Sequence, residues 1–384
     1  MDLNKSKKNI DILRDIIQKD KKIAAFVGAG TSKTLGIKDW LELLEEMNKE
    51  FGADIDIIKS INKYGFVRTA TIIYNSRKKR EKKRLYNTFM HKQFEPKCTK
   101  YTGAHIEILN TFKVILTTNY DVSFENAFNA QERSFKKRGY GSNEKLEKWK
   151  LPYFKITEIL LHPHLLVYLH GNNDEKRYVF LEDEYKCNYP SNYIDNPSPS
   201  ELERFLRDVF NDFTLVFIGF SFSDENFCNF FERVMKEFQA NRENFINIYN
   251  EDYLSNMPSH FIVISDDELK YSVNKQDIFS IFKKGNENWK QLFIDNSKDE
   301  LLFKSNAEVI INNLWLIDDV KEKISKIYYR CLDNQKRFKF LEKNKINIIS
   351  FERAEYREIE NILSDLQIQE TTTGKNLELE VKNV

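Results

Sequence analysis

Residues 23–40 read IAAFVGAGTSKTLGIKDW. The first five are apolar, and a short unbroken apolar run is what a strand buried on both faces looks like. Gly28 ends the run. Glycines at 28 and 30 permit a tight turn and a close approach of backbone N–H groups to a phosphate, with Ala29 between them. Thr31 or Ser32 can add a hydroxyl donor. Asp39 then precedes Trp40, Leu41, Leu44, Met47 and Phe51, with Glu42 three residues on. That is the pattern of a capping box, and the spacing predicts a helix over about 40–51. Strand, glycine turn and helix form the opening unit of a parallel α/β sheet. By itself GAG falls short of the full dinucleotide fingerprint, and a plain strand-to-helix turn accounts for it equally well.

Working outward, five more short runs read as strands: 114–118 (VILTT), 165–169 (LLVYL), 215–219 (LVFIG), 261–265 (FIVIS) and 346–350 (INIIS). Amphipathic stretches lie between them, as at 224–239 and 352–367, and Ile10, Leu13, Ile16 and Ile17 mark a leading helix over 4–20. The expectation is a doubly wound, mostly parallel, Rossmann-like sheet with helical insertions. One domain spans 1–368, with insertions at about 55–100 and 266–340, and 369–384 form a polar, flexible tail.

Composition narrows the class. The chain has 384 residues, 41% hydrophobic and 31% charged, with a net charge of +1. No global field draws it to nucleic acid or a membrane. No apolar run is long enough to span a bilayer, and no apolar core follows the basic N-terminal residues, so a cytoplasmic location is expected. The four cysteines, Cys98, Cys187, Cys228 and Cys331, stand far apart. They indicate neither a disulfide scaffold nor a paired-cysteine zinc site.

Three further motifs sit at the carboxyl ends of expected strands, where open α/β sheets bind their ligands. TTNYD (117–121) offers Asn119 and Asp121, although an Asx turn ending a strand has the same look. YLHGN (168–172) offers His170, which can act as a general base. His162 and His164 lie at the start of that strand and read as structural or exposed. A metal site made of the three histidines is not indicated, because a strand separates them. GFSFSDENF (219–227) offers Gly219 and Ser221, while Asp224 reads as a helix cap or a ligand contact.

Together the set GAGxS, TxNxD, LHG and GxSxxD resembles the sirtuins. It is most similar to the sirtuin-like branch found in bacterial anti-phage defence, to which FLEDEY (180–185) and INIISFERAEYREIENIL (346–363) also correspond. The resemblance covers roughly 23–265 and 340–367. It implies that Gly28, Ala29, Gly30 and Ser32 hold the pyrophosphate of NAD, with Thr31 beside them. It implies that Asn119 positions a water or the ribose, that Asp121 contacts the nicotinamide amide, and that His170 is the base. Gly219 and Ser221 would line the adenosine side.

Two departures matter. Deacetylating sirtuins resemble GAGxSxxSGIPDFR where this chain has GAGTSKTLGIKDWL, and the zinc-binding cysteine pairs are missing. The second turns the expectation from protein deacylation toward hydrolysis of NAD as substrate, with no metal required. The alternatives are an NAD-dependent deacylase or ADP-ribosyltransferase, and a non-catalytic NAD or ADP-ribose sensor. The resemblance also implies control by assembly into a homo-oligomer or by a partner, such as a HerA-type ATPase or an Argonaute-like protein. The run RKKREKKR (77–84) reads as a solvated helix face more readily than as a nucleic-acid contact, and FKKRG (135–139) as a weaker basic loop.

Overall fold

A computed structural model describes residues 3–19, 22–94, 101–137, 145–249, 258–265, 333–351 and 357–367. The chain divides into two compact units, Met1–Ser265 with Leu341–Val384, and Asp266–Phe340. Of the second unit only 333–340 are described, and they are helical. Of the expected insertion over 266–340, residues 266–332 lie outside the described residues, as does the expected tail over 369–384.

The first unit is built on a seven-stranded sheet in which every adjacent pair is parallel. The strands are β1 (Ile23–Val27), β2 (Val114–Thr117), β3 (Leu146–Lys150), β4 (His164–Tyr168), β5 (Thr214–Ile218), β6 (Phe261–Ser265) and β7 (Asn347–Phe351). Their spatial order is β3-β4-β2-β1-β5-β6-β7. The expected α/β class and parallel sheet are observed. The six expected strands are present, with ends displaced by no more than a residue.

β3 was not anticipated. Its sequence, LEKWK, carries three charges in five residues, and only Trp149 is buried. Charged residues are how an exposed sheet edge is kept from pairing with other chains, and they also hide the strand from a hydrophobic scan.

The inner strands are buried on both faces, which explains their unbroken apolar runs. On one face Ala25, Val27, Ile115, Leu166, Val216, Ile218 and Val263 share a core with four helices. These are α1 (Leu3–Gln18), α5 (Gly103–Thr111), α6 (Ser123–Lys137) and α10 (Arg357–Gln367). On the other, Phe26 and Phe217 pack at 5.2 Å between ring centres. They meet Phe210 of α8 (Glu201–Asp212) and Phe227 and Phe231 of α9 (Glu225–Tyr249) through a chain of ring contacts.

The stretch 55–100 supplies α3 (Ile57–Asn75), kinked at Gly65, and α4 (Lys79–Phe94). The basic run starts just before α4, and Arg77, Lys78, Arg80, Lys83 and Arg84 are exposed. Of FKKRG, residues 135–137 end the α6 helix and 138–139 lie outside the described residues. Among the described residues no helix is long and apolar enough to cross a membrane.

Candidate functional site

The four strands that carry the motifs, β4, β2, β1 and β5, are neighbours in the sheet. Their carboxyl ends therefore lie side by side. One pocket is lined there by Gly28 and Ala29 after β1, by Asn119, Tyr120 and Asp121 after β2, by His170 after β4, and by Phe220, Ser221 and Asp224 after β5. Ile37, Lys38, Trp40, Phe94 and Phe180 complete the wall.

The β1 loop is shaped by its contact with the β5 loop. Gly28 N–H donates to the Ile218 carbonyl at 3.1 Å and Gly30 N–H to the Gly219 carbonyl at 2.9 Å. A Cβ on Gly28 would lie 2.6 Å from the Gly219 carbonyl oxygen, and one on Gly30 would lie 2.8 Å from the Gly219 Cα. Gly219 has φ +61°, and its Cβ would meet the Thr31 nitrogen at 2.7 Å. The three glycines are thus required by the protein's own packing; the sequence reading gave Gly28 and Gly30 to a phosphate and Gly219 to the adenosine side.

Thr31 and Ser32 are fully buried behind this loop and do not line the pocket. Thr31 Oγ1 donates to the Gly28 carbonyl at 3.0 Å. Ser32 Oγ lies 3.4 Å from Nε2 of His105. His105 Nδ1 accepts the Thr102 N–H, and burial lowers its pKa to about 4, so the neutral ring carries its proton on Nε2 and donates to Ser32. Of the sequence-assigned residues, Gly28, Ala29, Asn119, Asp121, His170 and Ser221 are brought together on the pocket wall. Gly30, Thr31, Ser32 and Gly219 form the layer that supports it.

Asn119 is held at both ends of its short reach. Its N–H donates to Thr117 Oγ1 at 3.0 Å, and its Nδ2 donates to the Gly28 carbonyl at 3.1 Å. The carbonyl acceptor at Gly28 defines which end of the amide is nitrogen. No described residue takes up Oδ1. Asp121 uses Oδ1 to accept the Ser123 N–H at the start of α6, at 3.0 Å. Its Oδ2 is buried with no hydrogen-bond partner among the described residues. Buried polar atoms are rarely left so, and one at a pocket wall is ready for a donor on a ligand.

His170 is buried, and Gly171 at φ +81° turns the chain away behind it. The Nε2 atom lies 2.9 Å from the Tyr189 hydroxyl and 3.9 Å from Asp224 Oδ2. Burial lowers the imidazole pKa to about 3, so the ring is neutral at physiological pH. Tyr185 donates to Asp224 Oδ2 at 2.8 Å. The phenols come from α7 (Glu182–Asn188) and the residue after it, and their rings stack at 5.8 Å.

Sequence reasoning missed Tyr185, Tyr189, Phe180 and Trp40 as parts of this site. Trp40 stacks on Phe180 at 4.6 Å between ring centres, with planes 9° apart. The signals were present: Trp40 is where the sirtuin pattern has Phe, and Phe180 and Tyr185 fall in the FLEDEY phrase. His162 and His164 lie at the start of β4 against Trp149 and Phe128, away from the pocket. Among the described residues no group of three or more His, Cys, Asp or Glu side chains is arranged to hold a metal. A second, polar cavity adjoins the first. It is lined by Tyr64, Arg68, Glu182 and Tyr193, and it shares Trp40 and Asp224 with the first.

Residues 113–277 match the model of the SIR2-like domain. The NAD(+) hydrolase ThsA of Bacillus cereus (strain MSX-D12) is 22% identical over 275 residues, which cover 70% of this chain and 50% of that protein. The chain thus spans about half the length of this curated relative. With the motif-bearing strands adjacent and the sheet parallel, residues 113–277 are similar to the SIR2-like domain, and the chain is similar to a protein named as an NAD(+) hydrolase.

Proposed function

We propose that the chain is an NAD glycohydrolase that converts NAD and water to nicotinamide and ADP-ribose, or closes NAD without water to nicotinamide and cyclic ADP-ribose. The observation that carries the reading is the convergence of Asn119, Asp121 and His170 from the ends of adjacent strands on one pocket. The relative named as an NAD(+) hydrolase supports the same reaction class. In this reading the bond between C1′ of the ribose and the nicotinamide nitrogen breaks, and its electron pair neutralises the pyridinium. The attacking water bonds to C1′ and gives up a proton. Asn119 Oδ1 orients that water, His170 takes the proton, and the free Oδ2 of Asp121 accepts the nicotinamide amide N–H. Orientation and proton removal are the contributions such groups supply to an oxocarbenium-like reaction.

In the cell the same reading makes the chain an NAD-depleting effector of anti-phage defence. Its activity would be gated by assembly of copies or by a partner such as a HerA-type ATPase or an Argonaute-like protein. The test is nicotinamide release from NAD by the purified chain, alone and with candidate partners or nucleic acid, beside Asn119→Ala and His170→Ala. Release lost in both variants, with no acyl-lysine needed, bears out the hydrolase. Release that requires an acyl-lysine points to a deacylase, and NAD binding without turnover under every condition points to a sensor.

A further inference from the structure

We propose that Asp224 is the counter-carboxylate of His170, a positioning residue that compensates the charge on the imidazole when it takes a proton. The inference rests on the NAD-cleaving reading above. The two oxygens of Asp224 have separate partners. Oδ1 accepts the Asn226 N–H at 3.0 Å and the Phe227 N–H at 3.2 Å, which caps α9. Oδ2 accepts the Tyr185 hydroxyl and lies 3.9 Å from His170 Nε2. A cap needs only one neutral acceptor, and asparagine or serine caps a helix as well as aspartate does. Burying a carboxylate is unfavourable, so the cap alone does not account for a charge here. The neighbouring imidazole, once protonated, supplies the opposite charge.

His170 is the group that needs such a partner. It is buried and neutral, and burial resists its protonation. During cleavage it must hold a proton taken from the attacking water until solvent removes it. A fixed carboxylate beside the ring stabilises that imidazolium, much as a buried carboxylate supports a histidine base in hydrolytic triads. The groups that face Asp224 are His170, Tyr120 from the β2 loop, Tyr185 and Tyr189 from α7 and its end, Tyr193, and Glu225 beside it. None is a cation at neutral pH, so among the described residues no other ion pair engages the carboxylate. Burial pushes the Asp224 pKa up to about 6, against the hydrogen bonds from Tyr185, Phe227 and Asn226. The carboxylate is therefore formed above about pH 6 and lost below it.

The experiment compares wild type, Asp224→Asn and Tyr185→Phe in whatever assembly supports release by wild type. Nicotinamide release is followed from pH 5 to 9, with NAD affinity by calorimetry. Asparagine keeps the Oδ1 cap, so the fold is retained. The expected result for Asp224→Asn is a kcat about 10²-fold lower, NAD affinity within about threefold, and loss of the acid limb. Tyr185→Phe moves the acid limb to higher pH, because the phenol helps keep the carboxylate ionised. Wild-type kcat in Asp224→Asn overturns the proposal, as does weakened NAD affinity with kcat unchanged, which would mark a ligand contact. Should Asp224→Asn fail to fold, the limb in Tyr185→Phe decides, and an unmoved limb overturns the proposal. Wild type that releases no nicotinamide under any condition overturns the NAD-cleaving reading itself, and this proposal with it.

Discussion

Gly28→Ala separates two reasons for the same glycine. Gly28 has φ −111° and ψ −179°, an extended conformation that alanine adopts freely. Backbone strain therefore contributes nothing. The new Cβ would stand 2.6 Å from the Gly219 carbonyl oxygen and 2.7 Å from Phe220 Cα, both backbone atoms. Reaching an ordinary contact of 3.4 Å requires the β1 and β5 loops to part by 0.8 Å, that is 3.4 less 2.6. The hydrogen bonds from Gly28 and Gly30 across the seam, at 3.1 and 2.9 Å, would then stretch past hydrogen-bonding range. Overpacking of about 1–3 kcal/mol, with up to about 1 kcal/mol for each of the two lost bonds, gives a destabilisation of about 1–5 kcal/mol.

The same displacement carries the Gly28 carbonyl that anchors Asn119 Nδ2. A misplacement approaching 1 Å lowers turnover by about 10²-fold. Urea unfolding, NAD affinity and nicotinamide release measure the three effects. Gly52→Ala is the control, since Gly52 lies at φ +55° and only the end of Arg77 comes near. It is expected to lose about 1 kcal/mol and no turnover. A Gly28→Ala protein as stable as wild type, within about 0.5 kcal/mol, refutes the packing argument. If NAD affinity alone falls, the glycine serves the phosphate after all.

Three further outcomes follow from the geometry. Asn119→Ala removes both the water-orienting oxygen and the donor to Gly28, so kcat is expected to fall by about 10²-fold and stability by about 1 kcal/mol, read from release kinetics and urea unfolding. Tyr189→Phe strands the buried Nε2 of His170, and urea unfolding should show a loss of about 1–3 kcal/mol. The Asp224 pKa is raised in the folded chain, so the folded state binds the extra proton and wild type loses stability as pH rises from about 4 through about 6. Asp224→Asn lacks that loss, and its stability relative to wild type should grow by about 3 kcal/mol between pH 4 and pH 7 in matched denaturation curves. A difference that stays flat with pH would show that Asp224 does not titrate as a buried carboxylate.

The core strands were legible because they are central strands of a parallel sheet. Burial on both faces makes each a largely apolar run. β3 was not legible, since an edge strand is half solvated and LEKWK looks like surface. The helix at 40–51 was readable to its first residue, because Asp39 and Glu42 cap it through bonds four residues wide.

The site divides in the same way. Asn119, Asp121 and His170 could be named from the sequence because a strand end in an α/β sheet is itself a positional signal. Asp224 was visible too, as a helix cap, and its Oδ1 is one. That its other oxygen faces His170 depends on where β4 and β5 lie in the sheet. Tyr185 and Tyr189 reach the imidazole across a turn of α7, from 15 and 19 residues further along the chain. The packing reason for the glycines of the β1 loop was not legible, because the contact they permit is with residues nearly two hundred positions away. Sequence alone determined what is local or periodic: burial pattern, caps and the chemical types at strand ends. Tertiary structure alone decided which side chains share a wall and which atoms are left without partners. Strand order sets those distances, and it is written in the packing of the whole sheet, not in any one segment.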